Sequence, residues 1–229
     1  MKKIALIIGH NQKNKGAYSE YLKKSEYDFY SKVLDVLFKK YQEAFNLKEE
    51  FVKNIQDKIT IFRVPNTGYS KEMAEVVSTL EKNNFELAIE LHFNATTNHK
   101  QHGNTVLYWH KSIEGKKLAE LFQEIMTSYT EVKKLNLIPI NSLKQNGAYG
   151  IMKSKCPYIL LEPFFGDSKI DTDKINIEKM AEVLFLFLNE INQVKISNNY
   201  SSLEEENKKL KKALLEIKNR IGEILDEAL

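Results

Sequence analysis

Apolar residues fall along this chain in two alternating rhythms. Short aliphatic runs bounded by turn residues are separated by longer segments in which apolar positions recur every three or four residues, and that alternation predicts an α/β domain. Lys3 to Ile8 reads as the first strand. From Glu26 onward Phe29, Val33, Val36, Leu37 and Lys40 share one side of a helix, with Ser25 as its N-cap. Ile59 to Val64 reads as a second strand, and Ser70 caps a helix carrying Met73, Val76, Val77 and Leu80 on one face. Leu87 to Leu91 is the third strand and Thr105 to Trp109 the fourth, followed by a helix from Glu114 to Tyr129. Tyr158 to Leu161 is a short apolar strand that ends at Glu162, with Asn146, Gly147 and Gly150 as a flexible approach to it and a candidate cleft wall. A helix from Ile177 to Ile191 closes a domain spanning 1–192.

The pattern changes after Asn192. Residues 193–202 are polar and turn-prone, which predicts a linker. Over 203–229 Leu203, Leu210, Ile217 and Ile224 recur every seven residues, and Asn207, Leu214, Ile221 and Ala228 fill the complementary core position. This narrow seam predicts a coiled-coil helix that self-associates. Asn207 favours a dimer, while the mixed Leu and Ile core leaves trimers and tetramers open.

Composition sharpens the picture by exclusion. With 42% hydrophobic and 28% charged residues the chain has the balance of an ordinary globular protein. Its net charge of +3 is spread through interleaved lysines and acids, so no basic block marks a nucleic-acid partner. Cys156 is the one cysteine, which rules out an internal disulfide and, beside Pro157, reads as a small buried residue. The opening "MKKIALIIGHNQK" starts like a signal peptide, but its apolar run breaks at Gly9-His10. The expectation is synthesis in the cytoplasm with neither a signal peptide nor membrane insertion.

Chemistry enters at three strand ends. Gly9-His10, Leu91-His92 and Leu161-Glu162 each place an ionisable residue where an aliphatic strand stops. Ligands bind at the carboxyl ends of strands in open α/β sheets, so parallel neighbours would converge two imidazoles and a carboxylate on one edge. Two histidines, a glutamate and an open position form a catalytic zinc set. The further glutamate is Glu20 or Glu26, the latter opening a helix whose dipole also favours an acid there.

"IIGH", "SEYDF", "ELHFNA", "GNTVLYW" and "YILLEPFF", in that order, resemble the zinc-dependent N-acetylmuramoyl-L-alanine amidases that cleave peptidoglycan, above all their phage lysin branch. The resemblance covers about residues 1–190. It implies a twisted, mostly parallel sheet, zinc held by His10, Glu26 and His92, and Glu162 as the catalytic glutamate. It also implies peptidoglycan as the partner and action on the wall after release from the cytoplasm. Two departures stand out: Ile8-Gly9 precedes the first histidine where an acidic approach is usual, and Glu90-Leu91 precedes the second where serine-isoleucine is common. Glu90 shares a strand face with His92, as an acceptor for its imidazole or as a rival acid to Glu162.

Asn94 is placed near the metal, bonding either backbone or substrate. Arg63, ending its strand, reads as a substrate-carboxylate contact or a structural ion pair, and His110 as a cleft-lining or rim residue. His99 and His102 read as members of a solvated loop. Two other functions remain open on sequence: a zinc carboxypeptidase or amidohydrolase acting on soluble peptides, and a non-catalytic, oligomeric wall-binding module.

Overall fold

The computed structural model describes residues 2–44, 58–64 and 66–192. In chain order its elements are β1 (Ile4–Ile8), the two-residue strands β2 (Tyr18–Ser19) and β3 (Lys24–Ser25), α1 (Glu26–Ala44), β4 (Ile59–Arg63), α2 (Tyr69–Lys82), β5 (Leu87–Leu91), β6 (Thr105–Trp109), α3 (Ile113–Thr130), β7 (Ile138–Ile140), α4 (Ala148–Lys153), β8 (Tyr158–Glu162), α5 (Lys169–Thr172) and α6 (Ile177–Asn192). Six strands form one sheet in the order β4-β1-β5-β8-β6-β7. The linker and coiled coil expected over 193–229 lie outside the described residues.

The sheet is buried on both faces, which is why its strands are nearly continuous aliphatic runs. Ile4, Leu6 and Ile8 of β1 point into the layer of α1, α3 and α6, while Ala5 and Ile7 point toward α2 and α4. The same alternation runs through β5 and β8. At five positions a fully aliphatic β1 is 0% exposed, so the strand beneath the first histidine is fixed by packing on both sides.

Strands β4, β1, β5 and β8 run parallel, with Ile8 beside both Arg63 and Leu91, and Leu91 beside Leu161. That register brings Gly9-His10, His92 and Glu162 to one edge. β6 runs antiparallel to β8, pairing Thr105 with Glu162 and Tyr108 with Ile159, and β7 follows the direction of β6. At the opposite edge, the backbone N–H of Lys2 donates to Oδ1 of Asn192 at 2.7 Å, closing the last helix against the start of the first strand.

Several sequence expectations shift locally. Ser70 is the second residue of α2 and Gly68 precedes that helix as its cap, with φ of 97°. The approach to β8 is helical: Gly147 caps α4 in a left-handed conformation, and Gly150 lies against the Tyr158 ring, so this stretch packs on the sheet instead of walling the cleft. Cys156 is half-buried, its Sγ 3.2 Å from the Ser154 hydroxyl. Among the described residues, no helix is long and apolar enough to cross a membrane.

Candidate metal centre

The start of α1 is stitched to the loop that crosses the sheet edge. Ser25 accepts from the Asp28 N–H at 3.2 Å and donates to its Oδ2 at 2.8 Å, a reciprocal N-cap. The N–H groups of Glu26 and Tyr27, orphaned by their place in the first turn, donate to the carbonyls of Ala17 and Lys15. These bonds fix Glu26 at the helix N-terminus, where the dipole also favours its charge. Buried Phe29, Tyr30, Val33, Leu34 and Leu37 anchor the helix behind it.

Glu26 is the carboxylate that meets the histidines. His10 Nε2 lies 3.3 Å from its Oε1 and His92 Nδ1 lies 3.1 Å from its Oε2. The Ala17 and Phe93 backbone N–H groups donate to the same two oxygens at 2.9 and 3.1 Å. One donor atom from each of His10, Glu26 and His92 lies within 4.8 Å of the others. Glu20 is exposed and pairs with Lys23, which leaves it no part in this cluster.

The site's electrostatics are those of an ion pair in a dry setting. Burial opposes ionisation of Glu26, yet hydrogen bonds from His10 and His92 win and draw its pKa down to about 2. Burial likewise opposes the His92 cation, but bonds to Glu26 and Glu90 raise that pKa to about 10. Glu162 moves opposite to Glu26: burial raises its pKa, and Glu26 and Glu90 add to the rise against the pull of His92.

Glu162 follows the Leu91–Leu161 pair in register, so it stands beside His92. Its Oε2 accepts a 2.7 Å hydrogen bond from Asn94 Nδ2, while Asn94 Oδ1 accepts from the Ala95 N–H. Asn94 thus contacts the carboxylate of Glu162 as well as backbone. Its own N–H and C=O are zipped to Phe164 and Gly166, tying the loop after β5 to the loop after β8. Glu90 is 0% exposed with both oxygens engaged, by His92 Nε2 at 2.9 Å and the Tyr158 hydroxyl at 2.7 Å. It cannot meet substrate as a rival acid to the partly exposed Glu162.

Two glycines make this assembly possible, and neither is visible in a hydrophobic pattern. A Cβ on Gly9 would fall 1.8 Å from His92 Nε2, so only glycine lets the imidazole lie across the end of β1. Gly16, at φ of 76°, passes so close that its Cβ would stand 2.6 Å from His10 Nε2 and 2.8 Å from Glu26 Oε1. Gly9→Ala is therefore expected to eject the His92 ring, lowering stability by about 1–3 kcal/mol. Thermal melts and zinc competition with a chromogenic chelator check it, the expected result being a lower Tm together with impaired metal binding.

The other candidates separate by strand direction. His110 follows β6, whose end lies at the opposite edge because that strand is reversed, so the cleft or rim position expected for it does not hold. Arg63 does reach the site edge, but its guanidinium donates to the Ser31 hydroxyl on α1 at 3.1 Å. His99, in the loop before β6, is on the site side, with Nδ1 2.9 Å from Asp167 Oδ2. The reversal of β6 is what brings that loop to the edge.

A family model described as N-acetylmuramoyl-L-alanine amidase matches residues 4–185. Among solved structures, the chain is similar to an N-acetylmuramoyl-L-alanine amidase from Clostridium difficile 630, at 19% identity and a TM-score of 0.61, covering 84% of this chain and 97% of that one. It is similar to the catalytic domain of an endolysin targeting Clostridia difficile, at 21% identity and 0.64, covering 86% and 100%. The CwlD amidase from Clostridioides difficile, solved with the GerS lipoprotein, gives 17% and 0.65, covering 85% and 100%. At these identities the structures speak for the fold. Among curated proteins, none matches the chain by sequence.

Proposed function

Because the chain belongs to the N-acetylmuramoyl-L-alanine amidase family, we propose that it cuts the amide between N-acetylmuramic acid and L-alanine in peptidoglycan as a zinc hydrolase. The observation that carries the metal is the Glu26 carboxylate clamped between His10 and His92, with donor atoms inside 4.8 Å. Two imidazoles and a carboxylate are a donor set that suits zinc, and His10, Glu26 and His92 would hold it. When bound, zinc supplies Lewis-acid activation of a water and of the scissile carbonyl.

The chain's own groups supply the rest. Glu162 is the general base, taking a proton from the attacking water and returning it to the leaving nitrogen of L-alanine. Asn94 holds that carboxylate by its 2.7 Å bond. The products are a lactyl carboxylate on the sugar and a stem peptide with a free amino terminus.

Chelator-treated protein is expected to lose hydrolysis of purified walls and to regain it with one equivalent of zinc. Mass spectrometry of the digest supplies the bond: intact stem peptides freed from muramic acid support the amidase, whereas shortened peptides still joined to the sugar would replace it with a peptidase. The likeness to an endolysin catalytic domain supports a role as a phage or prophage lysin. The seven-residue spacing from Leu203 to Ile224 supports self-association beyond residue 202. Sedimentation of a 200–229 peptide should give a dimer, and a monomer at high micromolar concentration would remove that part of the reading.

A further inference from the structure

Glu90 occupies a position where the packing calls for an aliphatic side chain. It lies in mid-sheet on β5, 0% exposed, on the face that Ala88, Leu160 and Met73 fill. An unpaired carboxylate there would cost several kcal/mol, and even a paired one is weak evidence for stability. Its two oxygens have separate occupants: Oε1 lies 2.9 Å from His92 Nε2 and Oε2 accepts the Tyr158 hydroxyl at 2.7 Å. Room for that hydroxyl comes from Gly150 on α4, where a Cβ would stand 2.5 Å from it.

The opposite nitrogen of the same ring, Nδ1, faces Glu26 and the candidate metal position. Gly9 lets the ring lie flat enough to span both carboxylates. We propose that Glu90, itself oriented by Tyr158, is a positioning residue that keeps the proton of neutral His92 on Nε2 and so presents Nδ1 as the metal-binding atom. The inference rests on the zinc reading of the site. A carboxylate accepting the far N–H of a ligand histidine both aims the ring and raises the basicity of the binding nitrogen. Tyr158 completes the arrangement, because without its donor Oε2 would be a buried acceptor with no partner and the carboxylate would be free to turn away.

Glu90→Gln tests the charge with shape preserved, since an amide oxygen still accepts from Nε2. The variant is expected to bind zinc about 10- to 100-fold more weakly, read by competition with a chromogenic chelator. Tyr158→Phe is expected to weaken zinc in the same direction by a smaller factor. Nitrogen NMR of zinc-loaded wild type should place the His92 proton on Nε2, a readout that stands even if Glu90→Gln does not fold. Unchanged zinc affinity in folded Glu90→Gln, or a His92 proton on Nδ1 in the loaded protein, overturns the proposal alone. Wild type that takes up no zinc overturns the metal reading and this inference together.

Discussion

Glu162→Gln is expected to lose roughly 100- to 10,000-fold in kcat/KM on purified peptidoglycan, the range that a positioned acid-base group contributes, while binding zinc as wild type does. The two outcomes belong together because glutamine is close to isosteric. Its amide oxygen still accepts from Asn94 Nδ2, which now holds Glu162 at 2.7 Å, so the side chain stays in place and only its capacity to take a proton is lost. Loss of zinc along with activity would instead make Glu162 a ligand. Activity within a few fold of wild type would remove it from the mechanism, and Glu90 would not inherit the role, being wholly buried with both oxygens bonded.

The second large effect is expected from Glu26→Ala: no zinc retained after dialysis, wall hydrolysis at background, and a lower Tm even for the metal-free protein. Truncation removes the one charge that holds His10 and His92 together. It also strips the acceptor from the Ala17 and Phe93 N–H groups. Buried donors left without partners cost about 1–3 kcal/mol each, and for a chain of this size each kcal/mol moves Tm by about 2–4 °C. A metal-free variant that melts with wild type would mean that water replaces the carboxylate freely. Metal analysis beside the melt reads both halves of the prediction.

How far the site could be read in advance depended on strand direction. The parallel strands announced themselves: "IALII", "LAIEL" and "YILLE" are aliphatic because both sheet faces are covered, and each stops at the edge where a polar group first meets solvent. His10, His92 and Glu162 stand out in the sequence for that reason, whereas spacing alone leaves Glu20 and Glu26 open and only the family resemblance favours Glu26. "TVLYW" carries the same alternation whichever way it runs, so its reversal beside β8 is hidden in the sequence, and the cleft or rim place expected for His110 gives way to the opposite edge. Gly9 and Gly16 were illegible for a different cause, since the atoms that forbid a Cβ there belong to residues 92, 10 and 26. Gly9 has its explanation in the space the His92 ring takes, while Ile8, which stands where an acid is usual, is a fully buried core residue. Elements such as α4 and β7 are too short for a period to register.

The bond between Lys2 and Asn192 sets where this domain can be held. It fixes the end of the last helix at the amino edge of the sheet, separated from His10 by the length of β1, five residues or roughly 17 Å of strand. A tether, label or fused domain joined after residue 192 therefore departs from the side facing away from the edge that carries His10 and His92. Anchored to a bead or a chip by that end, the enzyme would present the edge of His10, His92 and Glu162 outward to an insoluble wall fragment.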